Sequence, residues 1–219
     1  MASPEALARI VPFAIYMGFI ALADGMDRLG LDGQQRWLYG AKIGAVLLAL
    51  WYFRRSYSEL RAPWPRGRSL ALSLACGVLV FVLWISLNAP WMQLGGGAGF
   101  DPRDNSVIQW PWVVLRWTGA ALVVPVMEEL FWRSFLLRWI EKPAFLSVNP
   151  AHVKYVSFVV IVVLFGFEHT LWLAGMVAAV GYNLVYMRSG NLWAAILAHA
   201  VTNGVLGVWV VATGQWSYW

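Results

Sequence analysis

The chain has 219 residues, 60% of them apolar and only 12% charged, against about 45–50% and about 25% in an average soluble domain. That balance excludes an ordinary water-soluble globule and leaves room for roughly six to eight spans of about 20 residues each. The net charge of +5 does not argue for nucleic acid, because the basic residues collect in short loops, above all Arg54, Arg55, Arg61, Arg66 and Arg68, as the positive-inside rule requires.

Apolar runs place candidate spans at about 6–23, 37–53, 69–89, 111–140, 153–168, 170–187 and 191–212. The first contains Ala21-Leu22-Ala23, which resembles a signal-peptidase site. A retained span is expected, because Arg9 is offset by Glu5 and the remainder of the chain is polytopic. Loop 24–36 carries Asp24, Asp27 and Asp32 against Arg28 and Arg36 and reads as outside. The arginine-rich loop 54–68 reads as inside, which puts the N-terminus inside as well. The long connection 90–110 holds Gly95-Gly96-Gly97 and Asp101-Pro102-Arg103-Asp104 and reads as outside.

The fourth segment opens at Pro111, a favoured first helical position. Thirty residues at about 1.5 Å each give about 45 Å, longer than the bilayer core, so a tilt or kink is expected, with Pro125 as the kink site. Trp91, Trp110, Trp112, Trp216 and Trp219 flank span ends, where indole rings favour the headgroup interface. Cys76 is the single cysteine and reads as a small buried hydrophobe. The expected fold is an all-α polytopic transmembrane bundle of about 7–8 spans forming one integral membrane domain over 1–219.

Charged and polar groups within such segments are costly and point to function. Glu128 and Glu129 are adjacent, so on a helix their side chains diverge by about 100°. Glu129 shares a face with Arg133, four residues on, and can pair with it. One carboxylate is then neutralised structurally while Glu128 stays free for chemistry. The alternative is that both glutamates lie near the cytoplasmic end and pair with Arg133 and Arg138. His199 and Asn203 put two polar tips one turn apart on a small apolar face, suited either to stabilising an oxyanion or to interhelical hydrogen bonding. His169 follows Phe165-Gly166-Phe167-Glu168 and suits proton transfer or a helix–helix contact. Glu168 reads as structural and His152 as solvated. There is no zinc-protease helix motif, P-loop, dinucleotide fingerprint or nucleophile elbow.

The ordered set Glu128-Glu129-x-x-x-Arg133, Phe165-x-x-x-His169 and His199-x-x-x-Asn203 resembles the CAAX-protease and bacteriocin-processing family of intramembrane proteases. The resemblance covers about 111–210, and the approach Ser189-Gly190-Asn191-Leu192-Trp193 resembles the family's turn before its last motif. It implies a catalytic half at about 111–212. There Glu128 is the general base for a water, assisted by His169, with His199 and Asn203 as the oxyanion pair and Glu129 and Arg133 as the supporting ion pair. No cofactor is expected, although a zinc ion held by carboxylate and imidazole stays open. The implied partners are the lipid bilayer and a membrane-associated protein or peptide substrate. The Arg- and Trp-rich style points to a bacterial inner membrane.

Two other readings compete. In one, the chain is a non-catalytic binding or immunity protein of the same family. In the other, buried carboxylates and histidines couple protons in a small transporter, which would favour paired half-repeats that the sequence lacks. With the span boundaries above, His169 lies near the outer side and His199 two to three turns from the inner side. Their convergence requires a broken, re-entrant or shifted span near 153–175.

Overall fold

The computed structural model describes residues 3–30, 35–95 and 99–219; Asp32 of the first loop and Gly96 and Gly97 of the third lie outside the described residues. The architecture is all-α, with helices α1 (Pro4–Arg28), α2 (Gln35–Tyr52), α3 (Gly67–Ser86), α4 (110–139), α5 (Tyr155–Phe167), α6 (Trp172–Ser189) and α7 (Leu192–Thr213). A minimal antiparallel ribbon, Arg103–Asp104 against Val107–Ile108, interrupts the long outer connection.

Among the described residues, three helical stretches are long and apolar enough by themselves to cross a membrane: Pro4–Met26, Gly67–Ser86 and Leu192–Thr213. That is fewer than the 7–8 spans expected. The helix α4 has the length but carries Arg116, Glu128, Glu129, Arg133 and Arg138, and α5 has only 13 residues. α1 runs without interruption through Ala21-Leu22-Ala23.

The expected kink in α4 takes a different form. The helix continues through Pro125 but widens into π turns at Gly119–Val123 and Leu130–Leu136, one on each side of the glutamate pair. The first has a local cause. The Val124 N–H donates to the Gly119 carbonyl five residues back, so the next bond in that ladder would run from residue 125 to Ala120. Residue 125 is proline and has no N–H to give. Widened turns of this kind are concentrated at functional sites.

The break expected near 153–175 falls between helices rather than within one. α5 rises only about 20 Å, ends at Phe167, and hands over to α6 through the turn 168–171. A 13-residue helix cannot carry this turn across a hydrocarbon core of about 30 Å, so Glu168 and His169 lie below the outer end of the bundle. The outer loop follows them inward: Leu94 N–H donates to the Thr170 carbonyl at 2.8 Å, and Trp172 Nε1 to the Trp91 carbonyl at 3.2 Å.

The core lies between α3, α4, α5, α6 and α7, where Leu130, Trp132, Ile161, Phe165, Tyr182 and Ala198 are all buried. α3 crosses α7 at Gly77, where an added Cβ would come within 2.5 Å of the Ala198 carbonyl, so only glycine permits this approach beside His199. The chain reverses tightly between α6 and α7. Gly190 ends α6 in the left-handed region at φ 63°, and the Asn191 side chain caps α7 by accepting from Trp193 N–H at 3.0 Å. Asn191 Nδ2 also donates to the Pro63 carbonyl at 2.8 Å, tying this corner to the arginine-rich loop.

Candidate active site

Glu129 and Arg133, one turn apart on α4, are both fully buried, with Arg133 Nη1 donating to Glu129 Oε1 at 3.1 Å. The same oxygen lies 2.9 Å from Nδ1 of His199 on α7. Arg133 Nε donates to Asn183 Oδ1 on α6 at 3.0 Å, and its guanidinium lies over the rings of Phe165 and Tyr182, 4.5 and 5.3 Å from their centroids. Arg133 therefore binds α4 to both α5 and α6. Sequence reasoning passed over Asn183, although an asparagine on an apolar helix is itself a signal.

His199 is held on both faces of its environment. Tyr182 stacks against it with centroids 4.8 Å apart, and the Tyr182 hydroxyl donates to Thr202 Oγ1 at 2.8 Å. Thr202 Oγ1 in turn lies 2.9 Å from the Gly77 carbonyl. With Nδ1 donating to an ionised Glu129, a neutral His199 presents a lone pair at Nε2. It then donates toward a substrate only when doubly protonated.

His169 sits in the turn after α5. Its Nδ1 lies 2.7 Å from the Phe165 carbonyl, which can only accept, so the proton is on Nδ1 and Nε2 is left with a lone pair. The Phe165 ring separates the histidines, 4.7 Å from the His169 centroid and 6.3 Å from that of His199. Trp84 from α3 meets His169 edge-on at 5.3 Å. Neighbouring Glu168 accepts from Trp132 Nε1 at 3.0 Å. His152 is exposed.

Glu128 differs from its neighbour. It is 4% exposed and makes no hydrogen bond to any described residue, and its Oε2 is buried without a partner. Glu168 and Glu129 repel its charge, while Arg133 and Lys42 attract it. Oε2 of Glu129, Nη2 of Arg133 and Nδ2 of Asn183 are likewise buried without protein partners. The cluster thus holds unspent acceptors and donors together in a buried setting, where leaving each unpaired costs about 1–3 kcal/mol.

Asn203 turns one amide hydrogen toward α4. Its Nδ2 donates to the Ala120 carbonyl at 2.9 Å, the carbonyl that Pro125 leaves without a helical donor. The structure therefore gathers Glu129, Arg133, His199 and His169 around Phe165, places Glu128 beside them unbonded, and ties Asn203 to the backbone of the π turn. Among the described residues, no three His, Cys, Asp or Glu side chains come together as a metal-holding group.

Residues 110–205 match the family model described as Rce1-like, Type II CAAX prenyl endopeptidase Rce1-like. Over this segment the chain is similar to the CAAX protease family. The Rce1-like segment contains all of α4 to α6, the first part of α7, and each of the six candidate residues. No curated protein and no solved structure matches the chain. The match and the three long apolar helices are together in keeping with an integral membrane protein.

A second charged cluster had no signal in the sequence analysis because its members come from distant segments. Arg9 of α1 is fully buried and pairs with Glu59 at 2.5 Å, and Arg138 of α4 pairs with the same carboxylate at 2.6 Å. Ser134 donates to Glu59 and accepts from Arg9 Nε. Burial pushes the Glu59 carboxyl up, but the charge of Arg9, the Ser134 hydroxyl and the charge of Arg138 outweigh it and hold the group below the ordinary value. This network clamps the N-terminal end of α1 and the C-terminal end of α4 to the arginine-rich loop.

Proposed function

We propose that the protein hydrolyses a peptide bond of a membrane-associated protein or peptide, with Glu128 as the base that activates water. The observation that carries this reading is the contrast between adjacent carboxylates: Glu129 is neutralised by Arg133 and bonded to His199, while Glu128 is buried with an unpartnered oxygen. A water donating to Glu128 Oε2 loses its proton there as its oxygen attacks the scissile carbonyl. His169, with a free lone pair at Nε2, suits the relay of that proton to the leaving amine. The developing oxyanion would be held by doubly protonated His199 and by the second N–H of Asn203.

The test is single-turnover cleavage of a membrane-peptide library by purified protein in lipid nanodiscs, comparing wild type with Glu128→Gln. Cleavage by wild type and loss of about 10³-fold or more in the variant is the expected result, in the range that general-base and oxyanion contributions reach. Cleavage by Glu128→Gln at the wild-type rate would overturn the assignment.

A second reading, a non-catalytic family member whose polar groups lock helices together, draws support from the bonds Asn203–Ala120 and Arg133–Asn183. It requires Glu128→Gln to unfold the protein, which melting of the same sample reads directly.

A further inference from the structure

A crevice of about 880 Å³ opens between α1, α2, α3, α4 and the C-terminal residues, and both Glu168 and His169 line it. Two cations line the same crevice, Lys42 of α2 and Arg116 of α4. Lys42 is only 8% exposed. Among the described residues it has no carboxylate within ion-pair distance and no hydrogen bond; its ammonium instead sits 4.2 Å from the ring centroid of Tyr16 and 5.0 Å from that of Tyr39. Arg116 makes no side-chain hydrogen bond to a described residue, its Nε is buried without an acceptor, and its guanidinium lies 4.5 Å from the Tyr39 centroid.

Burying a cation without a counter-charge is costly, and membrane proteins keep such groups where they act on something. Here the buried Lys42 and the half-buried Arg116 converge on one cavity, both close to the Tyr39 ring. Other charges face it as well. Glu168 is engaged by Trp132, Asp24 is paired with Arg28 at 2.7 Å, and Glu128 acts on Lys42 without pairing with it. No described acid is bonded to Arg116.

Depth narrows the occupant. Lys42 lies seven residues into α2 and Arg116 six residues into α4, so both are about 10 Å below the helix ends at about 1.5 Å per residue. A lipid phosphate resting at the interface does not reach that level, whereas a peptide drawn to His169 does. We propose that Lys42 and Arg116 bind a carboxylate of the peptide substrate, either an acidic side chain or a C-terminal carboxylate, and so set the specificity of the site. The aromatic and aliphatic wall formed by Phe19, Ile20, Leu38 and Trp84 takes the apolar part of the same peptide. This inference rests on the peptidase reading for its biological meaning, but its binding arm does not depend on turnover.

The test uses a fluorescent peptide of Leu, Ala and Val in three forms: free C-terminal acid, C-terminal amide, and amide with one internal Glu. Binding is measured by anisotropy to Glu128→Gln protein in nanodiscs, so that no cleavage interferes. At least one carboxylate-bearing form should bind about tenfold or more tighter than the plain amide, as expected for charge-assisted hydrogen bonds. Which form is preferred identifies the source of the carboxylate. Lys42→Met and Arg116→Gln should each shrink that preference.

Equal binding of all three peptides overturns the inference, and because that comparison needs neither cation variant, misfolding of either leaves the result intact. A preference retained in full by folded Lys42→Met and Arg116→Gln also overturns it. Wild-type cleavage measured in parallel separates the two ideas. Preference without cleavage sinks the peptidase reading alone, and cleavage without preference sinks only the carboxylate site.

Discussion

His199 Nδ1 lies 2.9 Å from Glu129 Oε1, so the second glutamate of the pair sets the protonation and the orientation of a histidine three helices later in the chain. A carboxylate so placed fixes the proton on Nδ1 and holds the ring in one orientation. Glu129→Gln should therefore disturb His199 specifically. In nitrogen-15 spectra of histidine-labelled protein, wild-type His199 should show a protonated Nδ1, and in Glu129→Gln the ring should lose that single-tautomer signature. An unchanged His199 spectrum in the variant would show that the contact does not control the ring.

The glutamates should also separate in stability. Glu128→Gln removes no hydrogen bond and should leave thermal unfolding in detergent close to wild type. Arg133→Met leaves Glu129 buried without its cation and Asn183 without its donor, a situation that typically costs about 3–5 kcal/mol. Denaturant unfolding of the two variants side by side checks the contrast. Equal losses would remove the distinction between a free and a neutralised carboxylate.

Asn203 and Pro125 should be energetically coupled. The amide of Asn203 serves a carbonyl that only proline leaves bare, and an unpaired buried carbonyl costs about 1–3 kcal/mol. Asn203→Ala should accordingly destabilise the wild-type background more than a Pro125→Ala background, where the residue-125 N–H is restored. A double-mutant cycle measures this, and additive losses would show that the two residues act independently.

The Glu59 clamp predicts an acid limit. Because the folded Glu59 carboxyl is held below the ordinary 4.5, its contribution to stability is complete above that value and is lost as pH falls through the depressed folded value. Melting temperature measured from pH 7 downward should fall below about pH 4.5 in wild type, with a smaller fall in Glu59→Gln, which starts lower because Arg9 has lost its counter-ion. Parallel curves for the two proteins would place the acid sensitivity elsewhere.

Much of the helix pattern and the candidate set was legible because the signals are local. The thirty-residue fourth segment, the turn before α7 and the spacing of Glu129 to Arg133 all follow from periodicity and capping within a few residues. What escaped depended on partners distant in sequence. Asn183 acquires meaning only opposite Arg133, Glu59 only between Arg9 and Arg138, and Lys42 only beside Arg116 across the crevice. The spans expected at 153–168 and 170–187 stand within about two residues of α5 and α6 at each end. What hydropathy did not show is the depth: α5 has only 13 residues, so the turn 168–171 places His169 below the end of the bundle.

The widened turns in α4 have a consequence for how this helix tolerates change. Each π turn holds one residue more than an α-helical ladder needs, so it acts as a phase shifter: everything beyond it is rotated by about 100° relative to everything before it. Arg116 looks into the crevice from one side of the first shifter, and Glu128 and Glu129 are aimed from the other. Deleting a single residue from 119–123 would let the widened turn close to an ordinary α turn with both carboxylates on their present faces, whereas inserting one would turn them to new faces. A single deletion there should therefore be tolerated far better than a single insertion.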